Sequence, residues 1–494
     1  MPDFESNKEM SKMKCQTSVP LLSAMKSYSG RDIAAFDVPG HKRGQGVAVL
    51  NDYFGEGLMK MDVNSLPELD NVANPSGVIK EAQDLLADLM GADAAFFMAN
   101  GSTSSIHCML MSVLSPGDKI LIPKNIHKSA LNGLILCGAH PVYLKPDICP
   151  REGLMKNVSP SDIECQLIAN PDAKAVFVLN PTYYGHATDL RRVVEICNER
   201  GVLLLADEAH GTHLPFHDDL PPSAMECGAD ISCISVHKTG GALTQASALL
   251  VNSKRVNVNK VKQVINMLQS TSCSYLLMGS IDGARQNLAM NGREQLTKAL
   301  DLSKRARRGI DSIPGVSVVS ESGADAVFFD ITKLGINVSG LSITGFKVYE
   351  ILWKKYDIQL ESSDFNHVLA IISLGDCEVW IDRLIDALKE ISDEFYSEME
   401  CKKPVFHEVS AEFVVSMSPR DAYFSEKELV SFRDGIGRVS GESIMAYPPG
   451  IPVVSPGELI TEEIIGTLEG LKSGNAFIVD NFDPDLEQIL VIKE

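Results

Sequence analysis

Lys238 follows the apolar run ISCIS and stands in the segment SVHKTGG. A lysine at the exit of a buried strand loses hydration. Its pKa then falls toward the range where the free amine is a nucleophile able to form a Schiff base. Most lysines simply sit on the surface, so this one gains meaning from its neighbours. Asp207 ends another apolar run, VLLLAD. A carboxylate there is partly buried and needs a charge or hydrogen-bond partner. It could keep a heterocyclic nitrogen protonated. With His210, His213 and His217 it could instead ligate a metal, although the spacing is not HExxH and no cysteine pair supports zinc.

Two further segments add polar groups. In FFMANGSTSS, Gly101 frees the backbone, and Ser102, Thr103 and Ser104 open a helical stretch. Hydroxyls and helix-start N–H groups suit a phosphate. No GKS or GKT follows, so this is not a P-loop. Helix capping is the plainer use of the same residues. In IPKNIHKSA, His127 could stack on a flat ligand or cap a helix. Ser235 and His237 flank Lys238. A phosphate cup, an acid at one strand end and a lysine at a later one together meet the needs of pyridoxal phosphate: an anion site, a partner for the pyridine nitrogen and an amine for the aldehyde.

These residues need a scaffold that gathers strand ends. From about residue 80 to 252 the pattern alternates between strand and helix. Candidate strands are 94–98, 119–122, 141–144, 175–179, 202–206, 231–235 and 247–251. Several are near-continuous apolar runs, as in strands covered on both faces. Leu190, Val193, Val194 and Cys197 form one helical stripe. The alternation predicts right-handed βαβ units, a mostly parallel sheet and a ligand site outside the carboxyl ends of the strands. Around 310–316 the pattern changes. Short strands at 326–329 and 368–372 flank helices near 343–355 and 377–396, which predicts a smaller α+β domain. The expected division is an N-terminal arm and entry segment (1–75), a large domain (76–310), a small domain (311–402) and a C-terminal module (403–494). CKKPVFHEVS (401–410) reads as a linker, and the last module contains AYPPGIPVVSPGE (446–458).

Composition narrows the class. The chain has 494 residues, room for roughly three domains. With 45 % apolar and 22 % charged residues it reads as globular. Its net charge of −20 opposes a nucleic-acid role and favours solubility or cationic ligands. The N-terminal MPDFESNKEMSKMK lacks an apolar stretch, and no run is long enough to cross a membrane. Eleven scattered cysteines read as reduced thiols. The expected location is the cytoplasm.

The stretches FDVPGHKRGQG, NGSTSSIH, PKNIHKSA, NPTYYG, ADEAHGTH, SVHKTGGALTQAS, STSCSYLLMGS, SPRDAY and YPPGIPVVSPGELIT carry a resemblance to the ornithine/lysine/arginine decarboxylase family of fold-type I pyridoxal-phosphate enzymes. It covers nearly the whole chain and is nearest to the compact bacterial arginine branch of biosynthetic type. The resemblance implies an aspartate-aminotransferase-like α/β large domain, a smaller α+β domain and a C-terminal decarboxylase module. It implies that Lys238 is the Schiff-base lysine, that Asp207 pairs with the pyridine nitrogen and that His127 stacks on the cofactor ring. Gly101, Ser102, Thr103 and Ser104 resemble phosphate ligands, joined by Ser235 and His237. The site would lie at a homodimer interface, with Thr271 and Ser272 supplied to the phosphate by the partner subunit. His237 or Lys238 would protonate Cα. Glu458 is a candidate for the substrate's distal cation or a structural acid after a turn. His210 stands where some relatives carry an aromatic residue, so it is a second candidate substrate contact. The chain has no room for the receiver-like wing of the larger members, so assembly through that wing is not expected.

The implied activity is decarboxylation of a basic L-amino acid, arginine to agmatine foremost, lysine or ornithine otherwise. From other classes, an aminotransferase would need an arginine clamp, for which Arg383, Arg433 and Arg438 are candidates. A metal-dependent hydrolase would use Asp207, His210 and His213. A non-catalytic relative would be free to lose Lys238 or Asp207.

Overall fold

A computed structural model describes residues 14–149, 151–320, 328–397, 413–446, 450–473 and 478–493. Seven strands form the main sheet: Ala94–Met98 (β1), Lys119–Pro123 (β2), His140–Leu144 (β3), Ala173–Leu179 (β4), Leu203–Glu208 (β5), Ile231–Ile234 (β6) and Ser247–Val251 (β7). Their order is β1-β7-β6-β5-β4-β2-β3. Pairs β2–β3, β2–β4, β4–β5 and β5–β6 are parallel, and β7 runs antiparallel to both neighbours. Apolar residues dominate these strands because both faces are covered. Along β4, Val176 and Val178 enter one core, while Ala175, Phe177 and Leu179 enter the other. That is the period of two expected of side chains on a pleated strand.

The chain leaves this sheet through a helix of 37 residues, Tyr275–Asp311, which the sequence patterns did not single out. Its buried face changes partners along its length. Met278 and Ile281 join the large core, while Ala299, Leu302, Ala306 and Ile310 join the core of a second sheet. That second sheet, with Lys333–Asn337 at its centre, packs on helices Gly345–Tyr356 and Glu378–Phe395. The expected strand at 326–329 differs. Residues 326 and 327 lie outside the described residues, and Phe328–Phe329 pairs with His186–Ala187 of the large unit instead of joining the small sheet. The linker expected at 401–410, with the boundary at 402/403, also lies outside the described residues. A further apolar core gathers Phe432, Val454, Ile464, Leu468 and Ile489 near the C-terminus. Among the described residues no helix is long and apolar enough to cross a membrane.

Candidate functional site

The parallel run of strands brings several polar segments to one edge. β1 leads into Asn100 and the helix Gly101–Val113, where Gly101 takes a φ of +75° that side chains disfavour. β2 leads to His127, the N-cap of helix Lys128–Cys137, whose Nδ1 accepts the Ser129 N–H at 3.2 Å. β5 ends in Asp207–Glu208, and β6 runs into the turn of helix Val236–Thr239 that carries Lys238. These exits enclose one small cavity lined by Ser102, Ile106, His127, Ser129, Leu179, Pro181, Thr182, Tyr183, Asp207, Ala209, His210 and Lys238.

Within it Lys238 Nζ lies 2.9 Å from His210 Nε2. The Tyr183 ring sits 5.9 Å from the same amine and meets the His210 ring edge-on at 4.7 Å between centroids. Burial lowers the Lys238 pKa, and the negative charge of Asp207 partly restores it. The free amine is thereby brought closer to neutral pH. His210 is held neutral by burial and then by the charge of Lys238. Asp207 is buried, which raises its pKa, while the Ala209 N–H and Lys238 oppose the rise. Both hydrogen bonds to Asp207 go to Oδ1, from Ala209 N–H at 3.0 Å and Cys233 Sγ at 3.5 Å. Oδ2 is left for a cationic N–H from the cavity. Ser235 donates to the Ser102 hydroxyl at 2.7 Å, so two phosphate candidates from different strands meet.

The remaining candidates are not among the residues lining this cavity. His237 turns its Nδ1 to the Ala246 carbonyl at 3.0 Å and does not line the cavity. Thr103 is exposed, and Ser104 donates to the Gly101 carbonyl at 3.1 Å. Thr271 and Ser272 are exposed in the loop before the 37-residue helix. Glu458 does not meet Lys238: it is buried, and both its oxygens bind Lys124. In this arrangement its charge is paired within the chain, as for the structural acid that was the other reading of Glu458.

The metal alternative loses its geometry. His213 pairs with Asp330 at 3.0 Å, His217 accepts the Asp219 N–H at 3.1 Å and His210 faces Lys238. Among the described residues no group of three or more His, Cys, Asp or Glu side chains could hold a metal ion. The arginines proposed for an aminotransferase clamp are engaged too. Arg433 binds Glu469, Arg438 binds Glu428 and Arg383 donates to the Tyr356 carbonyl. Tyr183, Thr182 and Ser129 were not foreseen as lining residues. Their signal was NPTYYG after one apolar strand and KSA after another, segments whose local pattern assigns no role to these three residues.

A family model described as Orn/Lys/Arg decarboxylase, major domain, matches residues 19–329, and its C-terminal domain counterpart matches residues 401–479. A protein of Halalkalibacterium halodurans named arginine decarboxylase is 40 % identical over 98 % of this chain and 99 % of its own length. One of Bacillus subtilis with the same name is 38 % identical over 97 % and 99 %. Among solved structures, a lysine decarboxylase of Francisella novicida superposes with a TM-score of 0.85 at 22 % identity, covering 97 % of this chain and 81 % of the other. That likeness is one of fold.

Proposed function

The chain belongs to the Orn/Lys/Arg decarboxylase family, and from that premise we propose that it holds pyridoxal 5'-phosphate on Lys238 and converts L-arginine to agmatine and carbon dioxide. The observation that carries the reading is the buried amine of Lys238 sharing one cavity with Asp207, whose Oδ2 is left unpaired by the protein donors around it. Relatives of about 40 % identity named arginine decarboxylase support the substrate. Lysine and ornithine, which also end in a cation, are the second reading.

The residues suit the cofactor. Lys238 offers a poorly solvated amine to its aldehyde. Asp207 keeps the proton on the pyridine nitrogen, an electrostatic effect strengthened by its burial. His127 lines the same cavity and would lie against the cofactor ring. Ser102, Ser235 and the N–H groups opening helix Gly101–Val113 take the phosphate, with Gly101, Thr103 and Ser104 at the same turn. The partner subunit's Thr271 and the partner subunit's Ser272 complete that site in a homodimer. When bound, the cofactor supplies an electron sink for the bond to the α-carboxylate. Lys238 is the group that would hold the proton for Cα. It lines the cavity, whereas His237 faces the Ala246 carbonyl. The product is a polyamine precursor made in the cytoplasm.

The test is a product assay on arginine, lysine and ornithine. Agmatine with an equal amount of CO2 is expected. Cadaverine or putrescine as the main product moves the substrate to lysine or ornithine. A keto acid without CO2 refutes decarboxylation.

A further inference from the structure

A second cavity shares Leu179, Thr182 and Tyr183 with the one that holds Lys238. Its other walls are largely apolar and come from distant parts of the chain, among them Leu154, Phe346, Phe365, Ile451 and Leu471. The acids around it differ in what they have left to offer. Asp364 is saturated: Oδ1 accepts the N–H groups of Asn366 and His367, each at 2.7 Å, and Oδ2 accepts the Tyr184 hydroxyl at 2.5 Å. The cation lining the cavity, Lys124, is neutralised by Glu458.

Glu152 is different. Its side chain is 2 % exposed. Oε2 accepts from the Cys149 thiol, while Oε1 is buried with no hydrogen-bond partner. The guanidinium of exposed Arg151 is 3.8 Å from Oε1. Asn125 lines the same cavity. Its amide N–H2 donates to the Lys156 carbonyl at 3.0 Å, and its Oδ1 is likewise buried and unpartnered. Leaving buried acceptors unmatched is costly, most of all a charged one. The missing complement is a cation with several N–H donors on an apolar stem. A guanidinium on an alkyl chain meets both requirements.

We propose that this second cavity receives the distal cation of the substrate, with Glu152 as its charged acceptor and Asn125 as its neutral one. This rests on the decarboxylase reading above and assigns that site its specificity-determining residues. A free amine, such as the product acting as an effector, would satisfy the same acceptors, so the experiment must separate the two sources.

The cofactor-loaded wild type and Glu152→Gln are compared with arginine. Loss of one charged hydrogen bond predicts a KM raised roughly tenfold or more. The turnover number should fall much less, and the visible absorption of the bound cofactor should not change. Asn125→Ala should raise KM by a smaller factor, and Glu152→Asp should lie between wild type and Glu152→Gln. These two variants carry the test if Glu152→Gln does not fold. Agmatine should compete with arginine in the wild type, and its inhibition constant should rise with KM in the variants. An unchanged KM in the variants overturns the inference, as does agmatine inhibition that arginine does not relieve. A wild type that releases no CO2 from any of the three amino acids defeats the proposed function and this inference together. An active wild type with an unchanged KM in the variants defeats the inference alone.

Discussion

The amine of Lys238 lies 2.9 Å from Nε2 of His210, and burial drives both groups toward their neutral forms. With the lysine donating, the imidazole proton belongs on Nδ1, a buried atom with no hydrogen-bond partner. The edge of Tyr183 braces the ring. His210 thus accepts from the free amine without giving it a charged neighbour, which favours nucleophilic attack on an aldehyde.

Replacing that amine should remove the chemistry. Lys238→Ala is expected to release CO2 from arginine no faster than a protein-free control. Borohydride treatment followed by mass spectrometry should add the cofactor's mass to the wild-type peptide containing residue 238 and to no peptide of the variant. Covalent cofactor in the variant would disprove the assignment.

Asp207→Asn should keep the attachment and lose the charge. Removing one buried electrostatic stabiliser of a developing charge typically costs about 10²–10³ in turnover. The expected result is borohydride-trapped cofactor at wild-type stoichiometry with turnover reduced by that factor. Wild-type turnover would show that Asp207 does not act on the ring.

Acid should weaken the fold through His127. Burial first, then the charges of Lys238 and Lys128, lower its pKa from 6.5 to about 4. The unfolded chain therefore binds this proton as pH falls below 6.5, while the folded chain resists until about 4. Stability is full above the upper value and is lost toward the lower one, by at most about 3 kcal/mol. His127→Asn retains a residue suited to the N-cap but cannot titrate. Its melting temperature should fall less than that of the wild type between pH 7 and pH 4.5.

The Lys124–Glu458 pair joins the exit of β2 to the C-terminal module, both side chains almost wholly buried. Lys124→Met strands a buried carboxylate, which typically costs about 3–5 kcal/mol. Lys124→Met combined with Glu458→Leu should recover much of that loss. Urea unfolding of the two single variants and the double variant measures the coupling. Additive losses would show that the pair contributes no specific interaction.

Much of this was legible in one dimension. The apolar runs ending in Asp207 and preceding Lys238 read as strands, because short, near-continuous apolar stretches between helical patterns suit strands covered on both faces. The parallel topology then forces their exits to a common edge, so Lys238, Asp207, His127 and Ser102 share a cavity for a reason visible in the strand–helix alternation. Long-range pairing was not legible. Nothing near Glu458 in sequence signals Lys124, which neutralises it across 334 positions. Nothing beside Glu152 announces that one of its oxygens is left bare. Local pattern fixes which residues are buried and where strands end. Which buried charge meets which depends on the packing of elements far apart in the chain, and that only the tertiary structure decides.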